Sequence, residues 1–289
     1  ISVCLREEDK KIKIKIKMKR LVLTIRMLCA ALCLSCCVAC GSDNEPEVPE
    51  TPEVPETPEV PDTQEEVSYA AHTYTYGGVT MPYREGLFNQ TVSGDPSALV
   101  ILLHGGSQRG TDNEAQLNGL AREAVQNYIE TEKIKVAFLL PQCASDRVWN
   151  EASTGNNVVM TEVLYHWITD YVASHNINNK RIYLLGYSAG GSGTWRMVSD
   201  YPDMFAAAMP VAAKALMVEA ENMKSTPLYV AAGSDDKLMD INVIKAWVAQ
   251  LNSLGCTLQF DILSGADHQT TCETAFTAER LKWIFSKFR

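Results

Sequence analysis

The residues that could do chemistry gather around Gly186-Tyr187-Ser188-Ala189-Gly190, a Gly-x-Ser-x-Gly pattern. The apolar run Ile182-Tyr183-Leu184-Leu185 precedes it, and helical spacing follows. A serine on a sharp strand-to-helix turn is lifted above the sheet, at the positive end of the helix dipole. A hydroxyl is a poor nucleophile without a base, and the base needs an acid to orient it. His268, in Gly265-Ala266-Asp267-His268, stands after the last expected strand and is the candidate base. Asp236, in Gly233-Ser234-Asp235-Asp236, is the candidate acid, with adjacent Asp235 as the alternative. The order is serine, acid, histidine. An oxyanion would need backbone donors. Ala189 is expected to supply one and Gly106 the other, with Gly105 or Ser107 possible in Leu103-His104-Gly105-Gly106-Ser107. His104 reads as a brace for that loop.

Elements must hold these residues in place. His72–Tyr76 and Met81–Leu87 predict an antiparallel pair around Gly77-Gly78. Apolar runs at 98–103 and 136–140, and the stretch 181–185 with its apolar part from Ile182, predict strands buried on both faces. Further strands are expected over 206–212, 228–232 and 257–263. Helices are expected over 114–130, 160–174, 188–199, 241–254 and 275–288. Strands alternating with helices predict an α/β domain, with a mostly parallel central sheet and helices on both faces. Function in such sheets gathers at the carboxyl ends of the strands.

Several blocks carry a resemblance. They are Met81-Pro82-Tyr83-Arg84, the run from Leu103 to Asn113, Pro141-Gln142-Cys143 with Trp149, the run from Arg181 to Trp195, and the run from Pro202 to Ala207. Spread over residues 80 to 270, they resemble the esterase and predicted-peptidase branch of the α/β-hydrolases, related to feruloyl and acetyl-xylan esterases. The resemblance implies the α/β-hydrolase fold and ester hydrolysis through an acyl-enzyme on Ser188, with no metal and no cofactor. Residues 67–289 contain no His-Glu-x-x-His, paired Cys-x-x-Cys or Walker motif. In that fold Arg109, Trp149, Tyr187 and Gln269 are expected near the mouth of the site as substrate contacts. Trp149 could stack on a sugar or an aromatic acyl group, or equally belong to the core. Short connections predict an open cleft without an inserted lid.

The N-terminal region reads differently. Met18–Cys40 has a basic start, a short apolar run and small residues ending in Cys40, the layout of a secretory signal peptide. Cys37-Val38-Ala39-Cys40 resembles a lipobox with Cys40 as the lipidated residue; Cys36 and Cys37 are poorer sites. Residues 1–17 are expected to be a non-native upstream extension and 18–39 the signal peptide. Residues 40–66 are read as an acidic linker and 67–289 as the hydrolase domain. Over 46–63, Pro stands at every third position, which favours extended polyproline II and a semi-rigid spacer.

Charge narrows the partners. The chain carries a formal net charge of −9. The 67–289 part has 17 Lys plus Arg against 22 Asp plus Glu, so 17 − 22 = −5. That balance argues against nucleic acid, whose phosphates need a basic footprint. Cys143, Cys256 and Cys272 are the cysteines of that part, with Cys256–Cys272 the pairing to examine and buried free thiols the alternative.

The sequence thus predicts a lipid-anchored serine esterase of the bacterial cell envelope, at the outer membrane or cell surface. Its substrate would be a small-molecule or polysaccharide ester, with acetyl or feruloyl as the acyl group. A serine peptidase of the same fold and an inactive carbohydrate-binding lipoprotein are the rivals.

Overall fold

The computed structural model describes residues 67–92, 96–151, 157–214 and 220–289. The expected extension, signal peptide, lipidation site at Cys40 and Pro-rich spacer lie outside the described residues.

Eight strands form one sheet in the order β1-β2-β4-β3-β5-β6-β7-β8. They are β1 (Ala70–Tyr76), β2 (Val79–Phe88), β3 (Ser97–Leu103), β4 (Val136–Pro141), β5 (Ile177–Tyr187), β6 (Ala207–Val211), β7 (Leu228–Gly233) and β8 (Leu258–Leu263). β1 and β2 pair antiparallel, β2 joins β4 antiparallel, and every other pairing is parallel. The helices are α1 (Leu120–Thr131), α2 (Met160–Ser174), α3 (Ala189–Asp200), α4 (Ile241–Ser253), α5 (His268–Thr274) and α6 (Ala278–Phe285).

The apolar runs read from sequence are the buried strands, because a strand covered on both faces has no polar side. Side chains alternate across β3. Leu99, Ile101 and Leu103 join the core packed by α2, α3 and α4, while Ala98, Val100 and Leu102 join the core packed by α1, α5 and α6. This is the expected α/β arrangement, with helices on both faces. Register then positions the loops. Leu103 of β3 lies level with Gly186 of β5, and Gly233 of β7 lies level with Leu263 of β8. The segments after these strands therefore leave the sheet at one edge.

Two expectations need correction, and of the two readings of Cys256 and Cys272 the free, buried thiols hold. The helix read over 114–130 is a 3-10 turn at Ala115–Leu117 and then α1, separated by Gly119 at φ +137°. The final helix over 275–288 is shorter, because Thr277 caps a new start by accepting from the Arg280 N–H; α5 precedes it and begins at His268. The Cys256–Cys272 pair does not exist. Both thiols are free and buried, Cys256 in the core on one side of the sheet and Cys272 in the core on the other.

Candidate active site

Ser188 stands between β5 and α3 at φ 54°, ψ −119°, a left-handed conformation that an L-residue adopts only when its surroundings enforce it. Its N–H donates to Val211 O at 2.9 Å, tying the turn to the end of β6. Gly190 permits the turn's closeness to β3: a Cβ there would lie 2.0 Å from Leu103 O. The first turn of α3 thus rests on the strand end that launches the His104–Ser107 loop.

The structure brings Ser188, His268 and Asp236 together from three separate strand ends. Ser188 Oγ lies 2.8 Å from His268 Nε2, and His268 Nδ1 lies 2.7 Å from Asp236 Oδ2. His268 opens α5, whose N-cap Asp267 accepts from the Thr270 N–H at 2.8 Å. Asp236 is held from its other side, since Oδ1 accepts from the Leu238 and Met239 N–H groups at 2.8 and 2.9 Å. The Asp236 side chain is 2% exposed. Asp235 is exposed and instead accepts from Ser234 Oγ at 2.8 Å. Between two acids that sequence left open, Asp236 is the one bonded to the imidazole.

The loop after β3 is braced from beneath. His104 is buried, and burial lowers its pKa to about 4, so the ring is neutral. Its Nε2 accepts from the Cys143 N–H at 3.0 Å, so the proton sits on Nδ1, which donates to Gly105 O at 2.7 Å. With the Gly105 carbonyl pinned toward His104, the trans peptide turns the Gly106 N–H the opposite way. Gly106 lines the cleft that holds Ser188 and His268. Ala189 begins α3, where backbone N–H groups have no partner within the helix.

The expected substrate contacts divide. Tyr187 and Gln269 line this cleft of about 300 Å³, together with Gln108, Leu120, Leu238, Cys272 and Glu273. Trp149 does not. It is 1% exposed, its Nε1 donates to His104 O at 3.1 Å, and it is a core brace beneath the loop rather than a stacking platform. Arg109 also stands outside the cleft lining: its guanidinium is spent on the carbonyls of Gly106, Ser145 and Arg147. Connections are less short than expected, since 104–119 runs long between β3 and α1.

Sequence reasoning missed Cys272, one helical turn beyond His268 with Sγ 4.0 Å from Nε2. The i, i+4 spacing was legible only if the helix had been started at His268. Burial pushes its thiol up to about 12, so Cys272 remains a protonated wall beside the imidazole.

Comparison with known proteins agrees with this architecture. Residues 143–280 match the Dienelactone hydrolase family. The chain is 30% identical over 142 residues to poly(3-hydroxyalkanoate) depolymerase C of Paucimonas lemoignei, covering 46% of this chain and 32% of that protein. It is 28% identical over 114 residues to a probable carboxylesterase SOBER1-like of Arabidopsis thaliana, covering 37% of this chain and 44% of that protein. The chain therefore spans less than half the length of these curated relatives. A thermostable esterase superposes with a TM-score of 0.69 at 25% identity, covering 76% of this chain and 63% of the other. S-formylglutathione hydrolase of Staphylococcus aureus superposes at 0.58 and 16%, covering 76% and 100%. With the sheet order and the serine turn between β5 and α3, these likenesses give the described domain the α/β-hydrolase fold.

Proposed function

We propose that this protein is a serine hydrolase that cleaves carboxylic esters through an acyl-enzyme on Ser188. One observation carries the reading: the continuous hydrogen-bonded line Ser188–His268–Asp236 at the carboxyl edge of the sheet. In this reading His268 takes the Ser188 proton as the hydroxyl attacks the ester carbonyl. It then gives that proton to the departing alcohol, and water repeats the cycle on the acyl-enzyme. Asp236 keeps the imidazole in the tautomer with its proton on Nδ1 and stabilises the imidazolium. The Gly106 and Ala189 N–H groups receive the oxyanion. The relatives described as a depolymerase, a carboxylesterase and an esterase support ester bonds over peptide bonds.

The narrower substrate is part of the same proposal: acetyl or feruloyl esters on polysaccharides or their fragments. It is supported by the sequence resemblance. Hydrolysis of p-nitrophenyl acetate by the full chain tests the core reading. Activity lost in Ser188→Ala, with fluorophosphonate labelling of Ser188 in the wild type, is the expected result. Activity that survives Ser188→Ala overturns it.

We further propose that Cys40 tethers the domain to a bacterial envelope membrane through lipid, on the strength of the signal-like stretch before it. Metabolic labelling with an alkyne fatty acid should mark the wild type and not Cys40→Ala. Equal labelling of both would remove the anchor from the proposal.

A further inference from the structure

The candidate oxyanion loop has a second fastening besides the one made by His104 and Trp149. Gln108 ends the 3-10 turn Gly106–Gln108, and its Oε1 would lie 3.4 Å from a Cβ on Gly105. Nε2 donates to Tyr187 OH at 2.6 Å and to Asn118 O at 2.8 Å. A backbone carbonyl can only accept, so the Asn118 contact fixes which end of the amide is nitrogen. Both amide protons are therefore committed. Tyr187 belongs to the serine turn, one residue before Ser188, and its ring packs on Gly105, where a Cβ would meet Cε2 at 3.0 Å. Asn118 stands just before Gly119 and α1, which form another wall of the cleft.

Gln108 is a costly choice for packing alone. Among the described residues its buried Oε1 has no hydrogen-bond partner, so the amide leaves one acceptor unpaired while its nitrogen makes two bonds. The stranded oxygen is explained by what the nitrogen holds. Its two bonds join the loop carrying Gly106, the turn carrying Ser188 and the entry to α1.

We propose that Gln108 is a positioning residue, which with Tyr187 sets the Gly106 N–H relative to Ser188 and so preorganises the oxyanion site. This rests on the hydrolase reading above. Neither side chain is required to touch the reacting atoms. Oxyanion donors act only when aimed at where charge develops, and a displacement near 1 Å costs about 100-fold in rate. Losing the fastening should therefore appear in kcat and leave ground-state binding nearly intact.

The test compares the full chain with Gln108→Met, Tyr187→Phe and the double variant. Met keeps the shape without the bonds, and Phe keeps the ring on Gly105 without the hydroxyl. The expected result is a fall in kcat of about 10- to 100-fold for each single change, with KM within about 3-fold. The double variant should be no worse than the poorer single, because the two changes remove one shared bond. Amide hydrogen exchange at 105–107 should speed up about 10-fold or more in both single variants, a readout independent of turnover. If Gln108→Met fails to fold, Tyr187→Phe alone carries both readouts. A rise in KM at constant kcat would make these residues substrate contacts and overturn the proposal, as would strictly additive effects or unchanged loop exchange. The two readings fail separately. An inactive wild type unlabelled at Ser188 rejects the hydrolase, whereas an active wild type matched by its variants rejects only the positioning role.

Discussion

Two neighbouring aspartates show how a residue's part is assigned by its bonds rather than its type. Asp236 is buried, receives two backbone N–H groups on one oxygen and holds His268 with the other. Asp235 is exposed and bonded to its neighbour Ser234. If the hydrolase reading holds, Asp236→Asn places an amide N–H or carbonyl opposite Nδ1 and destabilises the required tautomer. A loss of about 10⁴-fold in kcat is expected, the scale seen when a triad acid becomes an amide. Asp235→Asn should stay within about 3-fold, since it touches neither the imidazole nor the cleft lining. Steady-state kinetics on both variants checks this, and the reverse ranking would move the acid to Asp235.

At the scale of elements, the site depends on how closely α3 can approach β3. Backbone oxygens of Leu103 and His104 occupy the space that a side chain at 190 would need, at 2.0 and 2.6 Å from a built Cβ. Neither is the end of a flexible side chain, so relief requires moving the helix or the strand. Gly190→Ala should destabilise the domain by about 2 kcal/mol or more, in the range of overpacked cores. The shift would also separate the serine turn from the Gly106 loop. Urea unfolding measures the first effect and p-nitrophenyl acetate turnover the second. Unchanged stability would mean that the two elements are less tightly apposed than described.

For the molecule as a whole, His104 links the site's scaffold to acid stability. In the folded protein its pKa is lowered to about 4 by burial, against an ordinary value of 6.5. Above pH 6.5 the ring is neutral in both folded and unfolded chains, and its contribution is fully present. As pH falls from 6.5 toward 4 the unfolded chain takes up a proton that the folded chain refuses, so stability declines. The total loss from this group is about 3 kcal/mol by pH 4, at about 1.4 kcal/mol per pH unit. Urea denaturation at pH 7.5, 5.5 and 4.5 should show that decline, with a shallower slope in His104→Gln. Equal slopes would mean that other groups govern acid unfolding.

Much of this was legible in the chain itself. Short apolar runs, too brief for helices and bounded by turn residues, read as strands covered on both faces, which gave the sheet class and placed Ser188 and His268 after strand ends. Gly-x-Ser-x-Gly marked the turn because few residue types survive that backbone geometry. Local pattern stops where distance along the chain is large. It could not choose between Asp235 and Asp236, because the choice depends on a ring 32 residues away, reached across β8. It could not tell that Trp149 is a brace, since an indole serves the core or a ligand equally well until its N–H partner is known. Nor could it place Cys256 and Cys272 on opposite sides of the sheet. The composition and spacing of residues determined which groups were available and in what kind of layer. Only the tertiary structure decided which of them meet, because register and helix approach bring distant strand ends to one edge.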